Sequence, residues 1–255
     1  MLYLFNRFLP YFSSILLGST FAIWTFHPEW IVWVGVVVFC IIVLSVWSLT
    51  SESGLRHTFW QFVWTPLVFI GSGFFFYLFI DDPLVRWFFI GGLLTVYMLI
   101  LKNIFSFIHH AEQYQPYALE NIYGYVNMLS LFLFTASAYG ASVLLGWTFW
   151  PLALAIGVLA SFLYMRTLWS HKIPWEHGKL FIMVLGIVTA EMAYIVSLLP
   201  TAFVVNALLL VSVYYVLMNT TKDYLKATLN PRSVRTYVLI SAATVVIALL
   251  TTKWI

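Results

Sequence analysis

Charge is what this sequence has least of. Only 8% of its 255 residues are charged, against roughly 25% in an average soluble domain. Hydrophobic residues make up 63%. So few ionic side chains cannot cover a water-facing surface, and a soluble core cannot absorb so much apolar area, which leaves the bilayer as the solvent. Cysteine is almost missing as well. Cys40 is alone, so no intrachain disulfide can form, and its place within an apolar run predicts a buried, inert thiol. The chain holds no H-E-x-x-H, no spaced histidine box, no Gly-rich phosphate loop, no CxxC and no Ser-His-Asp order. No cofactor or metal is therefore expected from its motifs. The net charge of +3 is sorted by loop rather than gathered in a patch, so no nucleic-acid partner is expected. No small-residue cleavage site follows the first apolar run, and a retained helix is expected there.

What is present is long and greasy. Nine apolar segments can be drawn, at roughly 8–26, 31–49, 58–80, 85–104, 125–145, 149–168, 179–199, 201–219 and 236–254. Each is about twice the length of a barrel strand, so the expected fold is an all-α polytopic transmembrane bundle of about nine helices, a single integral membrane domain over 1–255. With the N-terminus in the cytoplasm, Arg7, Arg56, Lys102, Arg166, Lys172, Lys179, Lys222, Lys226, Arg232 and Arg235 lie inside and only Arg86 and Lys253 outside, the bias of the positive-inside rule. Aromatics are 20% of the chain, and many Trp and Tyr fall near segment ends, where amphipathic rings anchor. This threading makes every outer connection short: His27-Pro28-Glu29-Trp30, Asp81-Asp82-Pro83, Gly146-Trp147-Thr148 and Leu199-Pro200-Thr201. Four short-turn hairpins plus one final helix result. The longer polar segments, 50–57, 105–124, 169–178 and 220–235, face the cytoplasm. Within them, 103–123 has an amphipathic pattern that predicts an element lying at the inner interface.

Three groups of polar residues are candidates for function. Glu191 sits inside the seventh segment, where an ionisable group costs roughly 2.5–3.5 kcal/mol and is a functional candidate by default. Asn206 lies at nearly the same depth across the Pro200 turn and is its expected hydrogen-bond partner, with Tyr194 one turn away. Two readings stay open for this trio: an interhelical fastener, or a relay or lipid-headgroup contact. Asn127, Ser130 and Ser137 share one face of the fifth segment, which predicts close helix packing or a lining surface. His109, His110, Glu112, Glu176 and His177 are cytoplasmic-face residues whose chemistry would suit acid–base work or a metal. Their spacing matches no metal-ligand motif, and interfacial solvation is the simpler expectation.

The stretches LLPTAFVVNALLLVSVYY and ALLTTKW resemble an uncharacterised family of multi-pass membrane proteins from bacteria with very small genomes. The resemblance covers mainly the final third, from about Gly178 to Trp254. It implies a polytopic fold in a bacterial inner membrane and transfers no site residue. Two functions are expected to compete. One is a non-catalytic partner subunit or carrier-like bundle in lipid or envelope-polymer traffic, whose partners are membrane lipids and a membrane protein. The other is a membrane-embedded lipid-modifying enzyme using the cytoplasmic His and Glu residues.

Overall fold

In hydrocarbon, each backbone N–H and C=O has to be satisfied within its own segment, and a helix does this with local bonds alone. The computed structural model describes residues 2–51, 59–109 and 118–252. Among them nine helices occupy the apolar runs: α1 (Leu2–Phe26), α2 (Ile31–Ser51), α3 (Phe59–Tyr77), α4 (Pro83–His109), α5 (Ala118–Leu145), α6 (Phe149–Ser170), α7 (Trp175–Ser197), α8 (Phe203–Leu225) and α9 (Pro231–Thr251). Each carries a window apolar and long enough to cross a membrane. The chain is an all-α, multi-pass membrane protein.

The helix ends follow local chemistry. Asp82 caps α4, its Oδ1 accepting from the Leu84 and Val85 amides at 2.7 and 3.1 Å, with Pro83 at the first helical position. Asn230 does the same for α9 through the Arg232 amide at 3.0 Å, ahead of Pro231. Gly146 takes φ +66 in the three-residue turn before α6, a backbone region open to glycine at no steric cost.

At the ends assigned to the cytoplasm, the structure departs from the sequence expectation. The segments 169–178 and 220–235 are not long polar loops: the links are only 171–174 and 226–230. Helices continue past their apolar cores because each added residue gains a hydrogen bond once the helix exists, and Lys and Glu are good helix formers. For the same reason, 103–123 is not a separate interfacial element over its described part. Residues 103–109 are the end of α4 and 118–123 the start of α5; positions 110–117 lie outside the described residues.

The helices gather into two compact units, Met1–Val126 and Asn127–Ile255, with the boundary inside α5. In the first unit, α1 packs on α2 and on α4. Near one end Trp24 stacks on Phe74, rings 4.3 Å apart, and Thr25 and Tyr77 share a 2.6 Å hydrogen bond. Near the other, the Ser48 hydroxyl donates to Asn6 Oδ1 at 2.9 Å. Cys40 is exposed rather than buried. The buried stripe of α2 runs through Val34, Val38, Ile41, Ile42, Ser45, Val46 and Leu49, and Cys40 falls outside it. Lipid is as apolar as the protein interior, so hydrophobicity alone does not say which way a thiol faces.

In the second unit, α7 packs against α6 and α8, and α9 rests on α8. Tyrosine hydroxyls tie the bundle across helices: Tyr139 to the Ala193 carbonyl at 2.8 Å, Tyr164 to Thr221 Oγ1 at 2.7 Å. The α6–α7 approach is close. A Cβ on Gly157 would stand 2.7 Å from both Ala190 Cβ and the Gly186 carbonyl, and one on Gly186 would stand 2.9 Å from the Gly157 carbonyl and 1.8 Å from Ser161 Oγ. Ser161 uses the proximity to donate across to the Ile182 carbonyl at 3.2 Å. Gly157→Leu is therefore expected to force α6 and α7 apart, at roughly 1–3 kcal/mol for overpacking, and to lower the thermal midpoint in detergent. Val158→Leu, one position along on an exposed face, is expected to leave it unchanged.

Candidate functional site

The α6–α7 pair has an outer side. Because the two backbones approach at glycine, the larger side chains flank the seam and leave a groove of about 640 Å3 between them. Leu154 and Val158 of α6 and Met183, Ile187 and Ile195 of α7 supply its apolar walls. One carboxylate enters this lining, that of Glu191, and its side chain is exposed. Tyr194, on the next turn of α7, closes one end of the groove with Trp150 of α6, ring centroids 5.9 Å apart. Glu191 lies six residues before Ser197, the last of α7, so it sits about 9 Å from that helix end.

The structure separates the residues that the sequence pairs. Glu191 and Asn206 do not meet: among the described residues no hydrogen bond joins them. Asn206 is buried at 4% exposure, and its Oδ1 accepts from Thr201 Oγ1 in the preceding turn. A partner five residues away is met with little loss of chain freedom, whereas Glu191 points elsewhere. Ala193 faces the unit's interior, and Glu191, two residues earlier, lies about 200° round the helix from it. Tyr194 likewise faces Trp150 on α6 rather than α8. Equal depth was legible in the sequence; direction round the helix was not.

On α5, Asn127, Ser130 and Ser137 are all buried. Asn127 Nδ2 donates to Thr167 Oγ1 at 3.2 Å and to the Leu163 carbonyl at 3.4 Å on α6. Ser137 donates to the Leu133 carbonyl of its own helix.

Of the five cytoplasmic-face candidates, His110 and Glu112 lie outside the described residues. His109 ends α4, its ring stacked on Phe105 at 4.6 Å. Glu176 and His177 are exposed in the first turn of α7, where an acidic side chain suits the positive end of the helix dipole. Among the described residues no three His, Cys, Asp or Glu side chains gather closely enough to hold a metal ion.

His171, in the short link after α6, has the most altered environment of the histidines described. Burial, and then the Lys226 and Lys222 ammonium groups, push its pKa from the usual 6.5 down to about 4, against the opposing pull of Asp223. Its Nδ1 is buried with no hydrogen-bond partner among the described residues.

Sequence reasoning missed the residues that shape the groove. The signal was available as two small-residue repeats, Gly157-x-x-x-Ser161 and Gly186-x-x-x-Ala190, a spacing that brings membrane helices close.

Two outcomes follow from these placements. Glu191→Leu is expected to leave thermal stability in detergent unchanged or raised, since the carboxylate fastens no helix. Asn206→Leu should lower stability by about 1–3 kcal/mol through the stranded Thr201 hydroxyl. The reverse order would show that Glu191 is a fastener after all. For His171 the fold holds the neutral ring, so between 6.5 and 4 the unfolded chain binds a proton that the folded one refuses. The stability tied to that neutrality is complete above pH 6.5 and is lost as the pH falls toward 4. Across that interval the wild-type thermal midpoint should fall more steeply than that of His171→Gln; parallel curves would contradict the assignment.

Comparison with known proteins returns nothing that identifies the chain: no family model, no curated protein and no solved structure matches it.

Proposed function

We propose that this protein is a non-catalytic, carrier-like bundle that holds a membrane amphiphile on its α6–α7 face, serving lipid or envelope-polymer traffic in a bacterial inner membrane. One observation carries the reading: an apolar groove of about 640 Å3 that runs along two membrane-spanning helices and reaches a single carboxylate. That volume lies in the range of small-molecule sites, which are mostly apolar with a few polar groups that set orientation. The groove faces outward from its own helix pair, so an amphiphile would reach it sideways from the bilayer without crossing water. Glu191 supplies a charge or hydrogen-bond acceptor where hydrocarbon supplies none, and Trp150 and Tyr194 supply aromatic faces beside it. A headgroup bearing N–H or O–H donors, or a positive charge, suits that combination.

The test is purification in mild detergent followed by mass spectrometry of co-purifying lipids. Wild type is expected to retain an amphiphile that Val158→Trp largely loses, because Val158 is 71% exposed and a tryptophan there fills the groove from its flank, adding no Cβ where Gly157 and Gly186 meet. Equal lipid content in the two proteins would remove the groove from the account.

A further inference from the structure

The first unit holds a second cavity of different chemistry. It measures about 670 Å3 and is lined by Arg7, Phe8, Pro10 and Tyr11 of α1 and by Lys102, Phe105 and Ser106 of α4. We propose that it binds the phosphate group of an anionic membrane lipid.

The argument starts from charge. Two cations, Arg7 and Lys102, are brought to one small space from two helices, and no carboxylate joins them in the lining. Among the described residues the sole ion pair is His27 with Glu29, so neither cation is neutralised there. Like charges placed together raise each other's energy, and an anion between them relieves it. The donors are also arranged for use. Lys102 Nζ is held over the Tyr11 ring, 4.5 Å from its centroid, a cation–π contact that orients the ammonium without quenching its charge. Arg7 offers a planar fork of N–H donors suited to phosphate oxygens. Ser13, Ser14, Ser45 and Ser137 all donate back to carbonyls of their own helices. Ser106 makes no hydrogen bond among the described residues, which leaves its hydroxyl for a ligand.

Depth and apolar surroundings select a lipid over a free ion. Arg7 lies five residues from Leu2, and Lys102 seven residues from His109, placing both about 7–11 Å from their helix ends. Each helix outlasts a hydrocarbon core of about 30 Å by only a few ångströms at either end, so both Cα atoms lie just inside its edge and the long side chains reach out to the headgroups. Phe8, 63% exposed, and Tyr11, 45% exposed, flank the cations with apolar surface for the glycerol and upper acyl carbons. Both cations belong to the set that the positive-inside count assigns to the cytoplasm, so the lipid is one of the inner leaflet. This site is separate from the α6–α7 groove and does not rest on the function proposed for it.

The experiment uses the full chain in nanodiscs of phosphatidylcholine doped with phosphatidylglycerol, reading the lipid retained after extraction by native mass spectrometry. Wild type should enrich phosphatidylglycerol over its bulk ratio on the order of tenfold, as two charge-assisted contacts allow, and added salt should erode the enrichment. Arg7→Gln/Lys102→Gln should fall to the bulk ratio, and Lys102→Arg should retain the preference. If the double variant does not purify as a monodisperse species, Lys102→Gln alone serves, with a partial loss expected. Equal enrichment in wild type and variant would overturn the site. So would complete displacement of the lipid by millimolar inorganic phosphate, which would make the ligand a free anion.

Discussion

The close approach of α6 and α7 at Gly157 and Gly186 governs what the second unit can be. Within a bilayer there is no hydrophobic gain in burying one apolar helix against another, so association rests on van der Waals contact and interhelical hydrogen bonds. Removing the Cβ atoms from the seam supplies both. It brings carbonyls within reach of facing helix atoms, and it places Ser161 where its hydroxyl bonds across to the Ile182 carbonyl. The same approach has a geometric consequence. Bulk excluded from the seam stands on its flanks, and on the outer flank those side chains enclose a groove instead of filling it. Packing and candidate function therefore come from one constraint.

The polar residues of the membrane-spanning helices divide by what they face. Several of those turned inward are consumed: Tyr139, Tyr164, Asn127 and Asn206 each have a named hydrogen-bond partner, on a neighbouring helix or in the adjoining turn, while the Thr65 and Thr135 hydroxyls are buried with no partner among the described residues. Glu191, Arg7 and Lys102 instead each line a cavity, with no ion-pair partner among the described residues. An uncompensated charge at membrane depth is expensive. One cavity holds a carboxylate and the other a pair of cations, and the two proposed ligand chemistries rest on these opposite signs. Among the described residues of α9 only Ala248 is buried, and the helix packs along α8 with Ser241 on the Ser212 carbonyl and Tyr237 on Asp223.

Much of the architecture was legible before any coordinates, because in lipid the backbone has few alternatives. Apolar run length implied helices, and the short turns at 27–30, 81–83, 146–148 and 199–201 implied hairpins. The site was legible only in part. Glu191 stands out in sequence because a carboxylate in hydrocarbon is costly wherever it faces. Its partner could not be inferred, since Asn206 satisfies the depth condition and fails the angular one. Cys40 failed similarly: composition cannot distinguish a lipid-facing position from a buried one when both surroundings are apolar. The ends of α4 and α8 run five or six residues past the apolar segments, because hydropathy marks the membrane's limits and helices do not stop there.

The sequence by itself determined that the chain lives in a membrane, that it crosses as helices, and which turns are tight, because hydrocarbon leaves backbone polar groups no other partner. Only the tertiary structure decided which face of each helix meets a neighbour and which meets lipid. That choice depends on the rotation of one helix against the next, and for α6 and α7 it follows from where two glycines let the backbones approach.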